Sequence, residues 1–152
     1  MKKFGYQQYK KVGVKTADRG KLLIMLYDGA IRFATLAKIK LEEKDWGAKG
    51  IYITKCQAIV FELIASLDHT VAPDLCKNLE SLYYFMTEQL TEANIKKDPQ
   101  PLIAVIKLLK TLREAWDEAV KQTQQQNAVA KDQGTQVAVP DQSNYTNIKV
   151  TG

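Results

Sequence analysis

The residues able to do chemistry are few, and their spacing does not suit it. The 152-residue chain has one histidine, His69, and two cysteines, Cys56 and Cys76. A structural zinc site draws four ligands largely from these types, and a di-iron bundle needs Glu-x-x-His pairs on two helices. Neither pattern is present. Cys56 and Cys76 lie too far apart for Cys-x-x-Cys redox chemistry. Both fall on apolar faces and read as core residues, free thiols suited to a reducing compartment. Gly47 and Gly50 lack the frame of a phosphate-binding loop. Glu42, Glu43, Glu114, Asp117 and Glu118 fall on polar helix faces, where they solvate the chain and form no acid–base pair. His69, at a helix end, suits capping or solvation. The expectation is a protein without catalytic residues, metal or cofactor.

Function must then lie in surface, and the charge is unevenly placed. Up to Lys21 the chain carries Lys2, Lys3, Lys10, Lys11, Lys15, Arg19 and Lys21 against Asp18 alone. The formal net charge of +5 therefore belongs to an N-terminal arm, and the remainder is nearly neutral. A basic arm suits nucleic acid or an acidic membrane, and that is the alternative reading of the chain. Phe4, Tyr6, Tyr9, Val12 and Val14 interleave the lysines, however, which favours an arm that packs on something.

The elements that position these residues are helical. Only 8 glycines and 4 prolines punctuate the chain, too few for a sandwich or barrel. No apolar run approaches the roughly 20 residues of a membrane span. The opening MKKFGYQQYKK lacks the apolar core of a secretory signal. Helical periodicity marks four segments: about Ala17–Glu43, Trp46–Asp68, Asp74–Ile95 and Pro99–Gln122 or beyond. Asp18 suits an N-cap, Pro73 a first helical position, and Asn94 a left-handed helix end. Asp98 before Pro99 reads as a cap, and Gly47 and Gly50 predict a late start for the second helix. Short links make neighbouring helices antiparallel. The fold expected is all-α: an antiparallel four-helix bundle (17–122), an N-terminal arm (1–16) packed on it, and a disordered Gln-rich tail (123–152).

Two helices are apolar on more than one face. The third segment has a single stripe, Leu75, Leu79, Leu82, Met86 and Ala93. The fourth has Leu102, Val105, Leu109, Leu112, Trp116 and Ala119. The first segment is apolar nearly all round, with a narrow polar ribbon through Asp28, Arg32 and Glu42, and the second is similarly broad. The excess predicts either cover by the arm or a groove for a partner. Candidate groove residues are Leu23, Ile24, Tyr27, Ile31, Ile59 and Leu63. Gly29 reads as a close helix–helix approach, and Asp28 with Arg32 as an exposed i,i+4 pair.

Several runs resemble one family. They are Tyr6-Gln7-Gln8-Tyr9, the stretch Lys21-Leu22-Leu23-Ile24-Met25-Leu26-Tyr27-Asp28-Gly29-Ala30, Lys55-Cys56-Gln57, Ser66-Leu67-Asp68, Asn78-Leu79, Ala93-Asn94 and Leu112-Arg113-Glu114-Ala115-Trp116. In this order, over roughly residues 6 to 120, they resemble the FliS family of flagellar export chaperones. Asp18-Arg19 stands where that family usually has Ser-Pro, and Val71-Ala72-Pro73 where it often has a glycine pair. The resemblance implies a cytoplasmic, non-enzymatic bundle, monomer or weak dimer when free, binding no nucleic acid. Its implied partners are the disordered C-terminal segment of flagellin, kept from premature polymerisation, and the type III export gate that receives it. It also implies an N-terminal segment, here with Tyr6 and Tyr9 docking, that covers part of the binding surface and moves aside.

Overall fold

The computed structural model describes residues 16–137, with side chains from 19 to 132. Four helices follow one another: α1 (Thr16–Glu42), α2 (Trp46–Ala65), α3 (Pro73–Lys96) and α4 (Pro99–Val137). No strand occurs among the described residues. Neighbours run antiparallel. Along α1, Gly29 meets Ile59 of α2 and Ala30 accepts from the Cys56 thiol, while Gly20 meets Val120 and Asp28 meets Arg113 on α4. Lys49 of α2 reaches Asn94 near the end of α3, and Gln57 reaches Thr91. Each helix packs on its two chain neighbours, and the ring closes α1 on α4. This is the all-α antiparallel bundle expected from the periodicity.

The links are built by recognisable caps. At the end of α1, Lys44 N–H donates to the Leu41 carbonyl and Asp45 N–H to the Lys40 carbonyl. Lys44 itself is left-handed, with φ 62°. That pair of bonds closes the orphan carbonyls of the helix end. Asp45 then caps α2, its carboxylate accepting from Ala48 N–H at 3.2 Å. A capped start offsets the helix cost of Gly47 and Gly50, so α2 begins at Trp46 and not late as expected. Pro73 opens α3 as predicted. The left-handed residue after α3 is Lys97, φ 54°, not Asn94, whose carbonyl is instead held by Lys49. Asp98 accepts from Gln100 N–H at 2.9 Å at the start of α4. Asp18 lies inside the first turn of α1, since that helix starts at Thr16, ahead of its expected cap.

The core is lined differently on α1 and α3. From α1 it takes Tyr27, Ala30, Ala34, Ala37 and Leu41, all buried, with alanines where α2 and α4 approach. A Cβ on Gly29 would lie 3.0 Å from Ile59 Cδ1, and one on Gly20 would lie 2.5 Å from Val120 Cγ2. The close-approach reading of Gly29 therefore holds. From α3 the core takes Leu79, Tyr83, Met86, Leu90 and Ala93. Leu102, Val105 and Leu109 of α4 complete it, while Leu75 and Ala119, expected on inner stripes, are exposed. The Tyr27 and Tyr83 hydroxyls are hydrogen-bonded to each other, and Trp116 Nε1–H donates to Tyr27 at 3.1 Å. That network ties α1, α3 and α4 and gives the hydroxyls of these two buried tyrosines their partners. Burial pushes both phenols above their ordinary range.

Two further expectations are corrected. Asp28 pairs across the bundle with Arg113 of α4, rather than with Arg32 one turn along. The fourth helix, expected to reach Gln122 or beyond, continues to Val137, so the first part of the expected disordered tail, 123–137, is helical. Its Gln, Ala and Lys residues are helix formers, and no glycine or proline interrupts them before Gly134. The rest of the expected tail, 138–152, and the arm, 1–15, lie outside the described residues.

Candidate functional site

The first helix needs its broad apolar surface for packing. It is gripped closely by α2 on one side and α4 on the other, so two apolar faces are used where one was budgeted. Tyr27, Ile59 and Leu63, expected in a groove, are buried in the core. Tyr27 is also fixed by its two hydrogen-bond partners. In this structure those three are core side chains and not open surface. Leu23 and Ile31 are half-buried and packed against the core, and Ile24 is half-buried. Tyr6 and Tyr9 lie outside the described residues.

An open groove with apolar side chains in its lining lies instead between α2 and α3. A groove of about 590 Å³ is lined by Gln57 and Phe61 from α2 and by Thr87, Glu88, Thr91, Glu92, Ile95 and Lys96 from α3. Helical spacing produces it. Thr87, Thr91 and Ile95 follow one another at i, i+4 and i+8, with Glu88 and Glu92 one residue round the helix. Phe61 stands one turn beyond Gln57 on α2. Phe61 is 49% exposed and Ile95 75%, large apolar side chains that nothing in the core uses.

The polar groups of the groove are held in place. Gln57 Nε2 donates to Thr91 Oγ1 at 2.9 Å and to the Thr87 carbonyl at 3.3 Å. Thr91 Oγ1 donates to that same carbonyl at 3.0 Å. Lys96 Nζ pairs with Glu92 at 2.7 Å, which raises the lysine pKa. Further along the seam, buried Lys49 donates to the Asn94 carbonyl at 2.9 Å. Burial, and to a lesser extent Lys97, lowers the Lys49 pKa. Lys97 sits 4.5 Å and Lys49 5.7 Å from the Trp46 ring centre, so the indole joins α2 to the α3–α4 link. The seam is thus pinned at its Trp46 end, while apolar surface and exposed Glu88 stay open along it.

This arrangement suits binding. Among the described residues, no three His, Cys, Asp or Glu side chains converge as a metal would require. Sequence reasoning missed Phe61 as a groove residue and missed Ile95 altogether. The available signal was position: Ile95 is a large apolar residue off the stripe of Leu79, Met86 and Ala93, on a face otherwise carrying Thr and Glu.

The bundle thus has a polar floor held by hydrogen bonds and a seam lined with apolar side chains, with the dimensions of a groove between two helices. The chain belongs to the FliS family: the family described as flagellar protein FliS matches residues 1–123. A flagellar secretion chaperone FliS from Vibrio cholerae is 36% identical over 116 residues, covering 74% of this chain and 85% of that one. The protein of the same name from Bacillus subtilis is 33% identical, with 76% and 86% covered. That from Salmonella typhimurium is 34% identical, with 74% and 87% covered.

Proposed function

We propose that the chain is a flagellar secretion chaperone that holds the C-terminal segment of flagellin in the cytoplasm. It prevents premature polymerisation and delivers the client to the type III export apparatus, without catalysing a reaction. The relatives' names support the chaperone role. The observation that carries the binding mode is the α2–α3 groove, where exposed Phe61 and Ile95 face a client across a floor whose polar groups are already satisfied. A segment that becomes helical there buries apolar anchors and leaves its polar face in water. Such a client spends much of its gross binding energy on ordering. A rigid groove keeps that cost on one partner only.

The test is titration of flagellin, full length and lacking its last roughly 40 residues, a length on the ordering scale of coupled folding and binding. Phe61→Lys and Ile95→Lys should each weaken binding of the full-length client by at least about tenfold, or 1.4 kcal/mol. Melting temperature should barely change, because both side chains are largely exposed. Equal binding of full-length and truncated flagellin would overturn the client segment. Full binding by both variants would overturn the groove. Apolar binding should also survive salt that would dissociate a phosphate ligand held by the basic arm.

A further inference from the structure

Two ammonium groups meet at the Trp46 end of the α2–α3 seam, and neither has a carboxylate among the described residues. Lys38, Lys40, Lys96 and Lys121 each sit within 3.3 Å of a carboxylate one turn away. Lys49 and Lys97 do not. Lys49 is only 4% exposed, and its Nζ reaches the Asn94 carbonyl at 2.9 Å. Lys97 is exposed and sits 4.5 Å from the Trp46 ring centre, with Lys49 5.7 Å from the same ring. Asp45 and Asp98, which flank Trp46 and Lys97 in the chain, accept from Ala48 N–H and Gln100 N–H as helix caps. An ammonium has three donors, and a buried one without a counter-charge is destabilising. The lowered Lys49 pKa, caused first by burial and then by Lys97, has the direction expected where a like charge is near and an opposite one is missing. Two cations gathered on one indole with no anion make a place for one.

The groove leads to that place. Its lining runs along α3 from Thr87 and Glu88 to Ile95 and Lys96, and Lys97 is the next residue. From Glu88 to Lys97 is about 14 Å, room for nine or ten residues of a helix lying alongside. Exposed Glu88 stands towards one end and the Lys49–Lys97 pair at the other. A helix is positive at its N-terminus and negative at its C-terminus, so one laid in this groove is favoured with its C-terminus at Lys97. The client proposed above is a chain end and brings one carboxylate whatever its sequence. We infer that Lys49, Lys97 and Trp46 form a carboxylate site that holds the client's terminal α-carboxylate, with the last turns of the client running parallel to α3 from Glu88 to Lys97. Exposed Lys97 donates to the carboxylate directly, and buried Lys49 adds its charge from the interior. This rests on the α2–α3 groove being the client's site.

Two synthetic peptides of the last roughly 40 residues of flagellin test it, one ending in a free carboxylate and one in a carboxamide. Amidation should weaken binding about fivefold. Lys97→Gln should weaken the free-acid peptide by the same factor and leave the amide unchanged, while Lys97→Arg keeps the difference between them. Carbodiimide coupling in the complex should join the client's terminal carboxylate to Lys97. Phe61→Lys should weaken both peptides alike and preserve their ratio, so the groove and the carboxylate site are read separately. Equal affinities of the two peptides, with Phe61→Lys still weakening both, would overturn this inference alone. An amidation penalty that persists in Lys97→Gln would overturn it too, as would coupling of the terminus to Lys21 or Lys121 in place of Lys97. No effect of Phe61→Lys on either peptide would overturn the groove, and this inference with it.

Discussion

The helices α1 and α3 stand on opposite sides of the same bundle and are packed in opposite ways. α1 presents Ala30, Ala34 and Ala37 with glycines at 20 and 29, so α2 and α4 come in close on both flanks. α3 presents Tyr83, Met86 and Leu90, bulky side chains that span wider gaps, and fewer of its backbone atoms lie near its neighbours. Small residues let a helix disappear into its neighbours. Large residues hold a helix at a distance, and the distance leaves a seam. The groove therefore sits against the helix with the single apolar stripe, while the helix that is apolar nearly all round leaves Met25 and Ile39 exposed far apart along its length, with no seam beside them. Apolar breadth alone does not mark a binding site; the size of the residues at the contacts decides whether surface is left over.

The contrast predicts that the two helices fail in opposite ways. Leu90→Ala should cost about 2–5 kcal/mol, because it empties a fully buried site on the helix that depends on bulk. Ala34→Leu should cost roughly 1–3 kcal/mol, because α1 has no room for the added atoms. Exposed Ile95→Ala should cost little in denaturant unfolding while still weakening client binding. If Ala34→Leu were tolerated without loss, the close packing of α1 would not be the feature that denies it a groove.

The polar bridge between the two helices gives a smaller effect. Tyr83→Phe removes one of the two partners of the Tyr27 hydroxyl and should cost about 1–3 kcal/mol, with Trp116 emission reporting the change. The pH dependence has a definite sign. Burial raises the pKa of both tyrosines in the folded chain, so their contribution is fully present below the ordinary phenol pKa of 10.0. It is lost as pH rises above 10.0, where the unfolded chain ionises and the folded one does not. Unfolding midpoints should fall above that pH in the unaltered chain and fall less in Tyr27→Phe/Tyr83→Phe. Equal falls would place the alkaline lability elsewhere.

Much of the fold was legible because periodicity, punctuation and capping agree. Pro73, Pro99 and Asp98 mark breaks that the structure keeps, and the Leu102, Val105, Leu109 stripe is core as read. The site was less legible, for physical reasons. Tyr27 and Leu63 look like candidates by face, but whether a face is covered depends on how near the next helix comes, and alanines at 30, 34 and 37 set that only when three helices are placed together. Asp28 finds Arg113 across the bundle, a pairing that local spacing cannot show. How far α4 runs beyond Gln122 was not legible because helix formers without a stripe carry no periodic signal.

The finest test compares two lysines in the same strained conformation. Lys44 ends α1 in the closely packed pair, and Lys97 ends α3 in the looser one, with φ 62° and 54°. A left-handed residue with a Cβ costs roughly 1 kcal/mol that glycine avoids. Lys44 is exposed, so Lys44→Gly should recover most of that and raise the melting temperature by about 2–4 °C. Lys97 differs because its ammonium lies 4.5 Å from the Trp46 ring centre, a contact worth about 0.5–1 kcal/mol at an exposed site. Removing it gives back about what the backbone gains, so Lys97→Gly should leave the melting temperature nearly unchanged. Lys97→Gly in a Trp46→Ala background, where that contact is already gone, should then stabilise as much as Lys44→Gly. If both glycine variants stabilised equally in the unaltered chain, the Trp46 contact would contribute nothing to holding the α2–α3 seam, and the groove's pinned end would rest on Lys49 alone.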